Sequence, residues 1–304
     1  MNLLSGRWKF GLFLAACTAF MWGVLPIALK GVLTTLDPMT TTFFRYFIAA
    51  ALITPFLLIR KKLVNRHKFR SVKLNLQLLF AGLLLAGNYA LYIFGLERTT
   101  PEAAQLMMQV APVMLLLAGV VVFKERFSIL QCLGFAIFLS GLLMFFSPRF
   151  ADIFVSLSAY GIGLLMLATA ATTWVGYAIM QKFLIKEFNP EETMLVFYWI
   201  GAMVFLPFSS FDALSELTKI RWYLLAFCGL NTLVAYGCFS EALAHIEASR
   251  VSAVIAMTPL VTLLLVQSIP MPDIVVESLQ TITILGAIFV VTGSIMTATL
   301  KGRS

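Results

Sequence analysis

"PEAAQLMMQVAP" (residues 101–112) and "ASRVSAVIAMTP" (248–259) lie 147 positions apart, and both close on a proline inside an apolar run. Proline removes a backbone donor and clashes with the preceding turn, so a membrane helix does not carry one without a reason. The first stretch also holds Gln105 and Gln109, where the second has Ser252 and Ala256. Extending their correspondence outward decides the architecture.

Upstream the offset is 152: Trp22 meets Trp174, Lys30 meets Lys182, Pro38 meets Pro190, Thr41 meets Thr193, Tyr46 meets Tyr198, and "PF" at 55–56 meets "PF" at 207–208. It falls to 147 for "FAGL" (80–83) with "FCGL" (227–230), Tyr89 with Tyr236, Leu96 with Leu243, and Pro112 with Pro259. It returns to 152 for Glu125 with Glu277, Gly134 with Gly286 and Gly141 with Gly293. Matched Leu and Ala carry no weight, because every apolar span shares them. Rare residues do: six of the eleven prolines and two of the five tryptophans pair along this one path. The chain is an internal duplication.

The composition says what is duplicated. The 304 residues are 61% hydrophobic and 12% charged, with mean hydropathy +0.95, whereas a soluble domain is about a quarter charged. The net charge of +8 does not point to a nucleic-acid partner, because Lys and Arg lie between apolar runs and not on a soluble basic face. Crossing a bilayer takes about 20 apolar residues. Ten runs qualify, near 10–29, 39–59, 75–95, 101–122, 128–146, 159–181, 192–210, 222–243, 250–268 and 279–299. They lack strand alternation, so the fold class is an all-α integral membrane protein of ten transmembrane helices.

Sixteen Lys and Arg, seven of them in "RKKLVNRHKFRSVK" (60–73), fall on one side of this topology and five on the other, with Arg45 inside a span. The bias places both termini in the cytoplasm. Five spans per half, an odd number, invert the second unit, as the outside Lys30 and inside Lys182 require. The expected organisation is therefore two inverted five-helix repeats, 1–146 and 147–304. The first run resembles a signal peptide in its Arg7 and Lys9 flank, but its length and lack of an A-x-A site mark it as a retained span. Connections are short, and the basic 60–73 loop is expected to anchor topology and to meet membrane lipids. Cys17, Cys132, Cys228 and Cys238 all lie in apolar segments, as small hydrophobes do.

These motifs resemble the drug/metabolite transporter superfamily, specifically its EamA-type members. The resemblance rests on "FMWGVLPIALK" (20–30) and "TWVGYAIMQK" (173–182), on "FFRYFIAAAL" (43–52), and on "YALYIFGLERTTPEAAQLMMQVAPV" (89–113) followed by "FKERFSILQCLGFAIFLSG" (123–141). The second copy departs from it at Phe197, opposite Arg45, and by five extra residues after Pro259. The resemblance implies two inverted five-helix units around a central cavity, a bacterial inner (cytoplasmic) membrane location, and small metabolites or drugs as cargo.

Inside spans, polar groups are costly and face a bundle interior or a wet cavity. Asn88 and Tyr92, Gln105 and Gln109 with Met108 beside them, and Trp174 with Tyr177 and Gln181 recur at helical spacing on single faces. With Trp22, Arg45, Asn231 and Tyr236 they are the candidate substrate pathway; interhelical hydrogen bonding is the alternative use of the same groups. Arg45 could attract an anionic substrate, pair with a carboxylate or snorkel outward. Glu241, near His245, is the candidate for proton coupling, or else half of an end-of-helix ion pair. Pro112 and Pro259 are candidate gating kinks.

The expected function is a secondary active or facilitative transporter of an amphipathic metabolite, such as an amino acid, by alternating access. Export is one direction it could run. No Walker sequence is present, so ATP is not the expected driver. An intramembrane enzyme would need a catalytic constellation, yet only His67 and His245 exist, with no HExxH or GxSxG. A channel-like pore would need a carbonyl filter or charged ring. No cofactor or metal is expected, and the working unit is a monomer or homodimer.

Overall fold

Backbone groups in hydrocarbon must be satisfied within their own segment, so a chain this apolar resolves into helices. The computed structural model of the protein describes residues 7–60, 70–111, 114, 128–149, 158–184, 187–246, 251, 254–268 and 280–299. These hold ten α-helices and no strand. In chain order they are α1 (Trp8–Leu33), α2 (Pro38–Ile59), α3 (Val72–Arg98), α4 (Pro101–Met108), α5 (Ile129–Phe146), α6 (Ala159–Leu184), α7 (Pro190–Phe205), α8 (Lys219–His245), α9 (Thr258–Ser268) and α10 (Thr281–Thr299). Seven helices are long and apolar enough to cross a membrane; Thr258–Ser268 and Thr281–Met296 are shorter apolar helices. Large apolar side chains such as Leu143, Leu165 and Met203 are exposed on outer faces, where lipid would cover them.

The helix starts carry the duplication at the level of single hydrogen bonds. Asp37 caps α2 by accepting from the Thr40 amide at 2.9 Å, with Pro38 in the first turn. Its equivalent Asn189 forms a capping box with Glu192 ahead of α7, with Pro190 in the first turn. Proline fits that position because the first-turn amides lack helical partners anyway.

Helix packing repeats as well. The most extensive contacts are α5 with α10, α3 with α6, α1 with α8, and α2 with α7. Exchanging α1–α5 with α6–α10 turns this set into itself. Single residues obey the same exchange. A Cβ on Gly163 would meet Thr99 and Arg98 at 2.7 and 2.9 Å, and one on Gly11 would meet His245 and Ile246 at 2.8 and 2.9 Å. Arg98 and Thr99 are the partners of His245 and Ile246 at the offset of 147.

Between α5 and α10 the backbones touch. Cβ atoms on Gly141 and Gly286 would each sit 2.5 Å from a backbone nitrogen of the other helix, Val290 and Phe145. Gly293 packs in the same manner on Gly134 and Phe138. Gly141 opposing Gly286 and Gly134 opposing Gly293 make the pair antiparallel. Small residues allow this approach in a membrane, where packing replaces the hydrophobic drive.

The proline-bearing spans are interrupted. α4 stops at Met108, Gln109 lies in a turn, and helix resumes at Val110. The chain turns likewise at Ala256 and Met257 before α9. Gln109 and Ala256 are equivalents, so both halves break three residues before the shared proline. Pro259 does not kink a continuous helix; it lies in the first turn of α9. Pro112 lies outside the described residues. Of the four free cysteines, Cys228 is buried as a small hydrophobe, whereas Cys132 is exposed on an outer face.

Candidate functional site

The site is built around the middle of α1. Pro26 lies inside this helix and has no amide hydrogen, so the carbonyl of Trp22, four residues earlier, loses its helical donor. Gln105 of α4 supplies one, its Nε2 donating to the Trp22 carbonyl. The flanking carbonyls are taken too. Asn231 of α8 donates from Nδ2 to the Met21 carbonyl at 2.6 Å, and Thr262 of α9 donates from Oγ1 to the Gly23 carbonyl at 2.7 Å. Three consecutive carbonyls of α1 are thus held by three other helices. The carbonyl released by Pro259, that of Ile255, accepts from the Thr258 hydroxyl.

Two further polar contacts cross between halves. Asn88 Nδ2 of α3 donates to the Ala170 carbonyl of α6 at 2.8 Å, and Thr18 Oγ1 of α1 donates to the Ala235 carbonyl of α8 at 3.3 Å. The two contacts exchange under the repeat, since Asn88 corresponds to Ala235 and Thr18 to Ala170. The Gln109 Oε1 accepts from Ser294 Oγ of α10 at 3.0 Å.

Aromatic rings fill the space between these ties. Trp22 meets Tyr236 edge-on at 5.3 Å and Phe239 at 5.8 Å. Trp174 packs against the neighbouring cluster that holds Tyr46, Tyr89 and Tyr177. Tyr46 lies 4.7 Å from Tyr89 and 6.4 Å from Tyr198, between ring centroids. Tyr198 in turn donates to the Thr232 carbonyl at 2.9 Å. The Arg45 guanidinium carbon is 4.3 Å from the centre of the Tyr89 ring, and Arg45 is 3% exposed. It does not snorkel.

Of the candidate residues, the structure joins Trp22, Gln105, Asn231 and Tyr236 into one connected set, with Trp174 packed against the neighbouring aromatic cluster. Tyr92 and Met108 pack in the adjoining apolar cluster, and Tyr177 sits against Phe197 at 5.8 Å in the next. Gln105 lies on α4 and Gln109 in the turn that follows it, and each is bonded to another helix. Glu241 is not part of this set. Its side chain is 60% exposed and pairs with His245 at 3.2 Å, at the end of α8. Sequence reasoning missed Tyr46 and Tyr89 as site residues, although their pairing with Tyr198 and Tyr236 in the repeat was a usable signal. It also missed Thr18, Thr262 and Ser294, and the burial of Glu102, which is 1% exposed in the first turn of α4. A groove of about 420 Å³ lined by Lys73, Gln77, Phe80 and Met180 lies at the start of α3, away from the aromatic set. Among the described residues no group of His, Cys, Asp or Glu is placed to hold a metal ion.

Gln105→Leu should lower stability by about 1 kcal/mol, the usual worth of an interhelical hydrogen bond in a membrane. The unfolding temperature in detergent measures it, and an unchanged value would remove Gln105 as the cap of Trp22.

The sequence profile of the EamA-like transporter family matches residues 9–147 and, 152 positions later, 161–299. An uncharacterized inner membrane transporter of Escherichia coli (strain K12), YhbE, is 35% identical over 95% of this chain and 91% of its own length. An uncharacterized transporter of Haemophilus influenzae is 34% identical over 95% of this chain and 94% of its own. A protein of solved crystal structure superposes with a TM-score of 0.63 at 16% identity, covering 95% of this chain and 97% of that one, which bears on the fold alone.

Proposed function

The chain belongs to the EamA-like transporter family, and on that premise we propose that it carries small amphipathic solutes, amino acid-like among them, by alternating access. Its two halves, 1–146 and 147–304, are the units that rock against each other in this reading. The observation that carries it is the pair of interrupted helices. The chain turns at equivalent positions, Gln109 just after α4 and Ala256 just before α9, beside a polar and aromatic centre. Broken helices at a repeat interface are where secondary transporters place their sites. Location in the inner membrane follows the names of the relatives, and the charge bias supports cytoplasmic termini. Glu241 is the group that would carry a coupled proton.

In proteoliposomes the protein should give saturable counterflow of labelled solute. Trp174→Ala, which opens the packing against the cluster of Tyr89 and Tyr177, should cut it at least tenfold. Flux rising linearly with concentration would show a pore in place of a carrier. Counterflow of every transported solute unaltered by Trp174→Ala would take that residue out of the pathway.

A further inference from the structure

We propose that Arg45 and the tyrosines around it form a subsite for the carboxylate of an organic monoanion. The inference deepens the transport reading and rests on it. Arg45 is buried in the second span, about 10 Å along the helix from Pro38 at 1.5 Å per residue, and its Nε and Nη1 have no hydrogen-bond partner. Its neighbour Tyr46 is fully buried, and its hydroxyl also lacks one. Both side chains lie against the same ring, Tyr89, at 4.3 and 4.7 Å. Three unused donor atoms therefore surround one aromatic face.

A guanidinium stays charged at any physiological pH, and burying a charge without a counterion costs several kcal/mol. The contact with Tyr89 offsets part of this, a cation–π interaction being worth about 2 kcal/mol when desolvated. Among the described residues no ion pair joins Arg45 to a carboxylate of the protein. Glu97 pairs with Arg98, Glu192 caps α7, Asp37 caps α2, and Glu241 pairs with His245. The position equivalent to Arg45 in the second half is Phe197, fully buried, so the charge is single and belongs to this half alone.

The missing partner is then a solute. A planar fork of N–H groups matches a carboxylate bidentately, and the Tyr46 hydroxyl adds a third donor. One cation balances one negative charge, which favours a carboxylate over a phosphate dianion. Lys30, in the last turn of α1, is committed to the Leu96 and Glu97 carbonyls at 2.8 and 2.7 Å. Tyr89, Tyr198 and Phe205, all packed on Tyr46 or Arg45, give the solute's apolar body a wall.

The test uses the purified full-length protein in detergent with 3-phenylpropanoate, indole-3-acetate and hexanoate, each beside its neutral amide, and with inorganic phosphate. At least one carboxylate should raise the unfolding temperature saturably, while the amides and phosphate do not. Arg45→Gln should leave a folded, monodisperse protein of equal or higher unfolding temperature, because it removes an uncompensated charge, and should weaken the carboxylate about 30-fold or more. Arg45→Lys, which keeps the charge and loses the fork, should weaken it less, and it decides the matter if the glutamine variant does not fold. No response to any carboxylate, an equal response to its amide or to phosphate, or an undiminished response in Arg45→Lys overturns the subsite. Counterflow separates this from the wider reading. Arg45-dependent binding without counterflow removes transport and keeps the subsite; counterflow indifferent to Arg45→Gln removes the subsite and keeps transport.

Discussion

Gly286→Leu should abolish recovery of folded protein. At this position a Cβ alone would stand 2.5 Å from the Phe145 backbone nitrogen and 2.8 Å from the Gly141 carbonyl oxygen. Both obstacles are backbone, so no rotamer change relieves them; α5 and α10 have to move apart. Overpacking a close interior costs about 1–3 kcal/mol when side chains can give way, and here they cannot. Gly286→Ala should therefore cost about 3 kcal/mol or more, and leucine should prevent assembly. Fluorescence-detected size exclusion reads this as loss of the monodisperse peak. Gly237→Ala is the control, since a Cβ there meets nothing within 4 Å. A monodisperse Gly286→Leu protein with the parent's unfolding temperature would mean that the α5–α10 seam is not as close as described.

Gly201→Val should stop transport in a protein that still folds. A Cβ on Gly201 of α7 would lie 2.5 Å from Cγ of Tyr46, so the ring is pushed off its seat between Tyr89 and Phe205. The obstacle is a side chain, and the cost falls in the ordinary range of about 1–3 kcal/mol. The consequence for the site is larger, because Tyr46 and Arg45 share the Tyr89 ring. Counterflow should drop more than tenfold while the elution profile is kept. Retained counterflow would show that the Tyr46 ring position is immaterial to the carrier.

The contrast between these substitutions also marks what the sequence can say. The positions of the spans were legible because lipid leaves the backbone one economical solution, and the ten helices start within a few residues of the runs that announce them, α9 excepted. The run from 250 is already helical at Val251, Val254 and Ile255, and α9 starts afresh at Thr258 because of the turn at Ala256 and Met257, which the sequence announced only through Pro259. Which way each helix faces was far less legible. In a membrane the inner and outer faces are both apolar, so the amphipathic signal that orients a soluble helix is weak. Gln105 and Gln109 were visible as a stripe, yet nothing in their spacing said that one would meet a carbonyl freed by Pro26 and the other Ser294. Tyr46 and Tyr89 look like ordinary span aromatics until a third helix brings Gly201 against the Tyr46 ring.

The two cross-half contacts at Asn88–Ala170 and Thr18–Ala235 make the halves unequal partners. Both donors sit in the first half, and both acceptors are backbone groups opposite alanine in the second. Two copies of the first half set antiparallel would place a donor on each side of both seams, whereas two copies of the second would bring Ala170 against Ala235 and have none. The first half supplies the side-chain donors at these two seams, while the second half supplies Asn231 and Thr262 to the carbonyls of α1. The halves are thus complementary at their contacts and not interchangeable.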